Sequence, residues 1–187
     1  MNERSFFKTR LYFTLLVTSA IWALLAWDHF HGGVPSHHIL NRKDMPAISN
    51  WLGGILLPLL TWFLLNRAKM RLIGHRVEES KIWWFPANTI YGFAGALFFG
   101  IVLSTFFTWG NTDIPGYMLM GLFLLALFVP IYRAECLLGF VIGMTFTFGG
   151  VLPTIIGSVL ALVGGVIYLF VRPALAYLWS RVLLRAL

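Results

Sequence analysis

The sequence predicts an all-α integral membrane protein, a bundle of about six transmembrane helices. Of its 187 residues, 59% are hydrophobic and only 11% are charged, whereas charged residues make up about a quarter of a soluble domain. The mean hydropathy is +0.80. A helix needs about 20 residues to cross about 30 Å of hydrocarbon. Apolar runs near that length recur along the whole chain. This composition is therefore typical of a protein embedded in lipid.

Six apolar runs qualify or nearly qualify as spans, at about 11–27, 51–65, 82–109, 115–132, 136–152 and 153–171. Pro58 lies inside the second run and predicts a kink, because proline removes one backbone donor. The last stretch, 173–187, mixes apolar residues with two arginines, which is typical of a short helix lying in the membrane interface. No linker or repeat divides the chain, so residues 1–187 are predicted to form a single domain.

Basic residues collect at alternate ends of the predicted spans. They precede the first span, follow the second, fourth and sixth, and are represented in the other connections only by Arg42 and Lys43. Short loops rich in lysine and arginine stay in the cytoplasm, so both termini are predicted to be cytoplasmic, in a bacterial inner membrane. The basic residues that set this orientation account for the net charge of +7, so no nucleic-acid partner is expected.

The outward-facing segment, from Asp28 to Asn50, concentrates the histidines. Four of the five in the chain lie there. Gly32 and Gly33 disfavour helix, so we expect an extended segment in which the imidazoles of His29 and His31 point to the same side. The residues that could contact a ligand in the segment are Asp28, His29, His31, His37, His38 and Asp44.

Three interpretations of the histidine segment remain open. Three imidazoles and an oxygen ligand fit zinc, copper or nickel, with His29, His31, His37 and His38 as the candidate metal ligands. The segment lacks the histidine pair with a neighbouring glutamate that marks a zinc protease helix. The histidines could equally contact an organic ligand, or be solvated groups of a polar interfacial loop.

Residues that open the second span extend the candidate ligand site. Ser49 and Asn50 are candidate helix caps, and Trp51 is placed at the headgroup level that tryptophan prefers. The turn at Gly149-Gly150 is predicted to face outward beside this segment. Backbone donors at the start of the following helix would favour an anion or a carbonyl oxygen there.

Two features lie elsewhere in the bundle. Arg133 and Glu135 lie at the inner junction of the fourth and fifth spans, where only a tight turn would pair them, and Glu135 is a candidate for a functional charge. Small residues recur every four positions in three spans, at Gly92, Ala96 and Gly100, at Gly139 and Gly143, and at Gly157, Ala161 and Gly165. That spacing predicts close helix packing, within the chain or against a partner or second copy.

Three functions fit this architecture. Six spans in 187 residues with both termini inside resemble the S-components of vitamin-uptake transporters, a likeness of architecture that no motif residue carries. The resemblance implies a transport-type or substrate-binding subunit with a small-molecule ligand at the histidine segment. The alternatives are a metal-dependent membrane enzyme acting at the outer face, and an accessory or assembly subunit of a larger membrane complex. No general base or nucleophile is identified, so the sequence leaves the question of enzymatic activity open.

Cysteine labelling in intact cells tests the predicted threading. In a Cys136→Ser background, a Ser36→Cys variant should react with a membrane-impermeant maleimide, whereas an Arg76→Cys variant should react only after lysis. The reverse pattern of labelling would show the histidine segment in the cytosol and contradict the predicted orientation.

Overall fold

The computed structural model describes residues 3–38, 47–74, 87–111 and 113–186, which are mostly helical. In chain order the helices are α1 (Glu3–Phe30), α2 (Gly53–Gly74), α3 (Ala87–Thr108), α4 (Asp113–Leu125), α5 (Ala134–Phe148), α6 (Val151–Val166) and α7 (Arg172–Ala186). Two short strands, β1 (Ser36–His38) and β2 (Ala47–Ser49), pair antiparallel. A 3-10 turn, Asn50–Leu52, joins β2 to α2.

Among the described residues, four helical stretches are long and apolar enough to cross a membrane. They are Arg4–Phe30, Asn50–Arg71, Ala87–Thr108 and Val151–Arg181. The apolar helices α4 and α5 are shorter. Helices of this length and composition indicate a membrane protein, because about 20 apolar residues suffice to span the hydrocarbon.

The helices differ from the predicted spans mainly at their ends. α2 continues to Gly74 instead of ending near Leu65, because the arginine, lysine and methionine residues that follow are good helix formers. α4 stops at Leu125, and the rest of the predicted fourth span, 126–132, forms turns and bends around Pro130. Proline cannot donate the backbone hydrogen bond that would continue the helix.

The last two helices are continuous. α6 passes into a π-helical segment, Ile167–Val171, and then directly into α7. Pro173 accounts for the wider turn, because its ring has no N–H and would clash with the carbonyl four residues earlier. The stretch predicted as a separate tail helix over 173–187 thus prolongs the sixth span, and every residue from Leu169 to Arg181 is exposed.

A close backbone contact joins α3 and α5, which run parallel. Gly139 lies against the carbonyl of Phe93, and Gly143 lies against that of Leu97, so a Cβ at either glycine would collide with the α3 backbone. This contact confirms that small residues four positions apart pack helices within the chain, where no hydrophobic effect drives helices together in lipid.

The surrounding helices enclose α5, whose buried residues extend from Glu135 to Thr145. α1 and α2 pack antiparallel, since Arg10 donates to the carbonyl of Trp62 at one end and Leu25 lies against Gly54 at the other. The core between these helices includes Leu25, Leu57, Leu103, Phe140, Val141 and Leu160. This short helix is therefore sheltered by protein over most of its length, although Phe146 near its end is exposed.

Adding a side chain at the α3–α5 contact should destabilise the protein. Gly143→Val is expected to lower the free energy of unfolding by about 1–3 kcal/mol, the usual cost of overpacking. Gly121→Val in α4 is the matched control, because a Cβ there meets no described atom within 4 Å. Chemical unfolding in mixed micelles measures both, and equal losses would contradict the proposed packing.

Candidate functional site

The described histidine rings lie against tryptophans. α1 continues to Phe30, so the expectation of an extended segment at His29 is wrong. The ring of His29 lies edge-on to Trp51 at 6.0 Å between centroids, and His31 stacks on Trp27 at 3.8 Å. Nδ1 of His31 lies 2.9 Å from the Trp27 carbonyl oxygen, and because a carbonyl only accepts, Nδ1 is the donor in this contact.

The predicted metal site stays a prediction. Over residues 3–38, 47–74, 87–111 and 113–186, no three histidine, cysteine, aspartate or glutamate side chains are grouped so that they could hold a metal ion. The side chains of His37 and His38, and the whole of Asp44, lie outside the described residues. Backbone pairing of β1 with β2 places His37 opposite Ile48.

Ser49 caps the turn that leads into α2, as predicted. The N–H of Trp51 donates to its hydroxyl at 3.4 Å. Asn50 is buried against the Gly149-Gly150 turn, and a Cβ at Gly53 would lie 2.9 Å from the nitrogen of the second glycine. The turn is therefore buried against the start of α2, and close contact explains its glycines.

A buried ion pair joins α2, α3 and α5 at the opposite end of the helices. Nη1 of Arg71 lies 2.7 Å from Oε1 of Glu135 and donates to Oε2 at 3.0 Å. Nη2 donates to the hydroxyl of Thr89 at 3.3 Å. The Glu135 side chain is 4% exposed and that of Arg71 is 26% exposed, so only the arginine reaches the surface. We call these three residues the polar centre.

A cavity of about 280 Å³ lies beside the polar centre, and we call it the Glu135 cavity. Thr89 and Glu135 line it together with Phe13, Leu64, Phe93 and Leu138, and its accessible surface is apolar. Oε1 of Glu135 is the carboxylate oxygen closest to Arg71 and is buried.

Arg133 and Glu135, the charges singled out in the sequence, do not pair with each other. Arg133 is the N-cap residue of α5, with extended backbone angles and no side-chain cap. Glu135 pairs instead with Arg71, 64 positions earlier. Sequence reasoning placed Arg71 in a loop because the second span was expected to end near Leu65, and a hydroxyl such as that of Thr89 is uninformative alone. The detectable signal was the spacing of four between Arg67 and Arg71, which puts both on one face if the helix continues.

Comparisons with family models, curated proteins and solved structures found no match to the chain. The chemistry of the site is therefore inferred from its own geometry. An ionisable residue within an apolar helix, paired across helices beside a cavity, is typical of a ligand, ion or proton site in membrane proteins. The polar centre has these properties, whereas the described rings of the histidine segment contact other aromatic rings.

Breaking the ion pair from either side should have unequal effects. Arg71→Met leaves the Glu135 charge buried without a partner and should cost about 3–5 kcal/mol of unfolding free energy. Glu135→Gln leaves a partly exposed guanidinium that can turn toward headgroups or water, at a cost of about 1 kcal/mol.

The double variant, Arg71→Met with Glu135→Gln, removes both charges and should recover part of the loss caused by Arg71→Met alone. Unfolding free energies of the three variants in the same detergent give the coupling between the two residues. If the two single variants lost equal unfolding free energy and the double variant lost their sum, Arg71 would not be compensating a buried Glu135 carboxylate.

Proposed function

We propose that the chain is a small multi-pass membrane protein, of the transport or substrate-binding type, that binds an organic ligand in the Glu135 cavity. The observation that carries this proposal is the apolar cavity beside the buried polar centre. A predominantly apolar molecule complements that lining. Small-molecule sites are typically concave and lined mainly by apolar side chains.

We also propose that the chain crosses a bacterial inner membrane six times, with both termini in the cytoplasm. Antiparallel packing of α1 and α2 and parallel packing of α3 and α5 support helices that alternate in direction. The polar centre then lies at the end of the helices that carries Arg10, Arg67 and Arg71, which is the cytoplasmic end under the positive-inside rule.

The histidine segment is the second candidate site. Two aromatic pairs, Trp27 with His31 and His29 with Trp51, lie at the end of α1. Such rings suit stacking on a ligand ring or contact with headgroups. A metal ion bound together with the histidines of β1 belongs to this candidate. It would favour the alternative of a metal-dependent enzyme at the outer membrane face.

Analysis of what remains bound after gentle solubilisation tests the two sites together. Mass spectrometry of an organic extract should find one predominantly apolar molecule in stoichiometric amount in the wild-type protein. Thr9→Phe, which adds volume at the Glu135 cavity from α1, should abolish its retention. Ala161→Phe in α6 is the matched control, because that alanine lines a different apolar cavity.

Retention of the molecule by Thr9→Phe, or its absence from the wild-type protein, would contradict the proposed site. Elemental analysis of the same preparations covers the second candidate. Stoichiometric zinc, copper or nickel that is lost in a His29→Ala, His31→Ala double variant would favour the histidine segment.

A further inference from the structure

Three arginines converge on a second cavity, of about 430 Å³, next to the polar centre. Arg67 and Arg71 lie one helical turn apart on α2, and Arg133 begins α5. We call this space the arginine cavity. Tyr132 lies among the arginines, and Phe63 and Met70 lie on the α2 side of the lining.

The positive charge in the arginine cavity exceeds the negative charge. Glu135 compensates Arg71. In the part of the chain that the structure describes, neither Arg67 nor Arg133 has a carboxylate within salt-bridge distance. Guanidinium groups remain ionised at all relevant pH values, and their repulsion is stronger near protein and lipid than in water. An anion bound between them would relieve that repulsion.

The lining also has an apolar side that is open. Phe63 is 57% exposed and Met70 is 60% exposed. Phe63 precedes Arg67 by four residues, so both side chains lie on the same face of α2. From Phe63 to Arg71 the helix rises about 12 Å. A bound molecule with an anionic end at the arginines would thus lie with its apolar part along α2.

We propose that the arginine cavity binds the phosphate headgroup of an anionic phospholipid, with an acyl chain lying along Phe63 and Met70. Arginine suits this ligand because its planar fork of donors binds two phosphate oxygens at once. Basic pockets between transmembrane helices bind anionic headgroups in this way. A free phosphate would match the arginines but would leave the apolar side of the cavity unused. Leu64 and Ala68 line both cavities, but the three arginines line only this one, so the proposal holds whichever ligand the Glu135 cavity takes.

Lipid binding to the full chain, purified in a neutral detergent and stripped of lipid, tests the proposal. Native mass spectrometry measures the apparent affinity for phosphatidylglycerol, for phosphatidylcholine with the same acyl chains, and for inorganic phosphate. Phosphatidylglycerol should bind at least about tenfold more tightly than either of the others, since each nearby arginine contributes about fivefold in affinity for an anionic lipid.

An Arg67→Gln, Arg133→Gln double variant should lose about 25-fold in affinity for phosphatidylglycerol and little for phosphatidylcholine. A Lys8→Gln, Arg181→Gln double variant is the matched control, because it removes the same charge outside the cavity and should change the affinity by less than about twofold. Arg67→Lys with Arg133→Lys keeps the charge and should lose less affinity than the glutamine variant.

Several outcomes would overturn the proposal. Equal affinity of the wild-type protein for the two phospholipids would remove the headgroup specificity, and this comparison does not depend on any variant folding. Equal affinity for inorganic phosphate would assign the site to a soluble anion. Equal losses in the cavity and control variants would show that net charge, and not the cavity, attracts the lipid.

Discussion

Backbone contact between α3 and α5 is the constraint on which the rest of the bundle depends. Glu135 precedes Gly139 by four residues and Gly143 by eight, so all three lie on the face of α5 that meets α3. Gly92 leaves the space that the glutamate occupies, since a Cβ there would lie 3.3 Å from Cγ of Glu135. The glycine contact therefore fixes the carboxylate between helices, where a cationic partner is needed.

The ion pair that results is weak as a source of stability. Removing two charges from water costs several kcal/mol per ion, and well-packed apolar residues often replace such pairs without loss. The pair borders two cavities, since Glu135 lines the Glu135 cavity and Arg71 lines the arginine cavity. Leu64 and Ala68 line both, so the two cavities adjoin along α2.

Features that depend on composition or on regular spacing could be predicted from the sequence. The apolar helices and the glycine faces of α3 and α5 belong to this class, as does the cap at Ser49. Features that depend on where a helix stops could not. α1 continues through His29 although Gly32 and Gly33 follow closely, and α2 continues to Arg71. The length and rotation of α2 decide which basic residue contacts Glu135. Neither property can be read from a short stretch of sequence.

The continuous helix from α6 to α7 links the chain to the thickness of its bilayer. The helical stretch Val151–Arg181 has 31 residues, about 46 Å at 1.5 Å per residue, against about 30 Å of hydrocarbon. Burying all of it would require a tilt of about 50°, beyond the observed range of about 0–40°. Part of the stretch must therefore emerge from the hydrocarbon. A thicker membrane would draw Arg172 inward, and a thinner one would lengthen the projecting end.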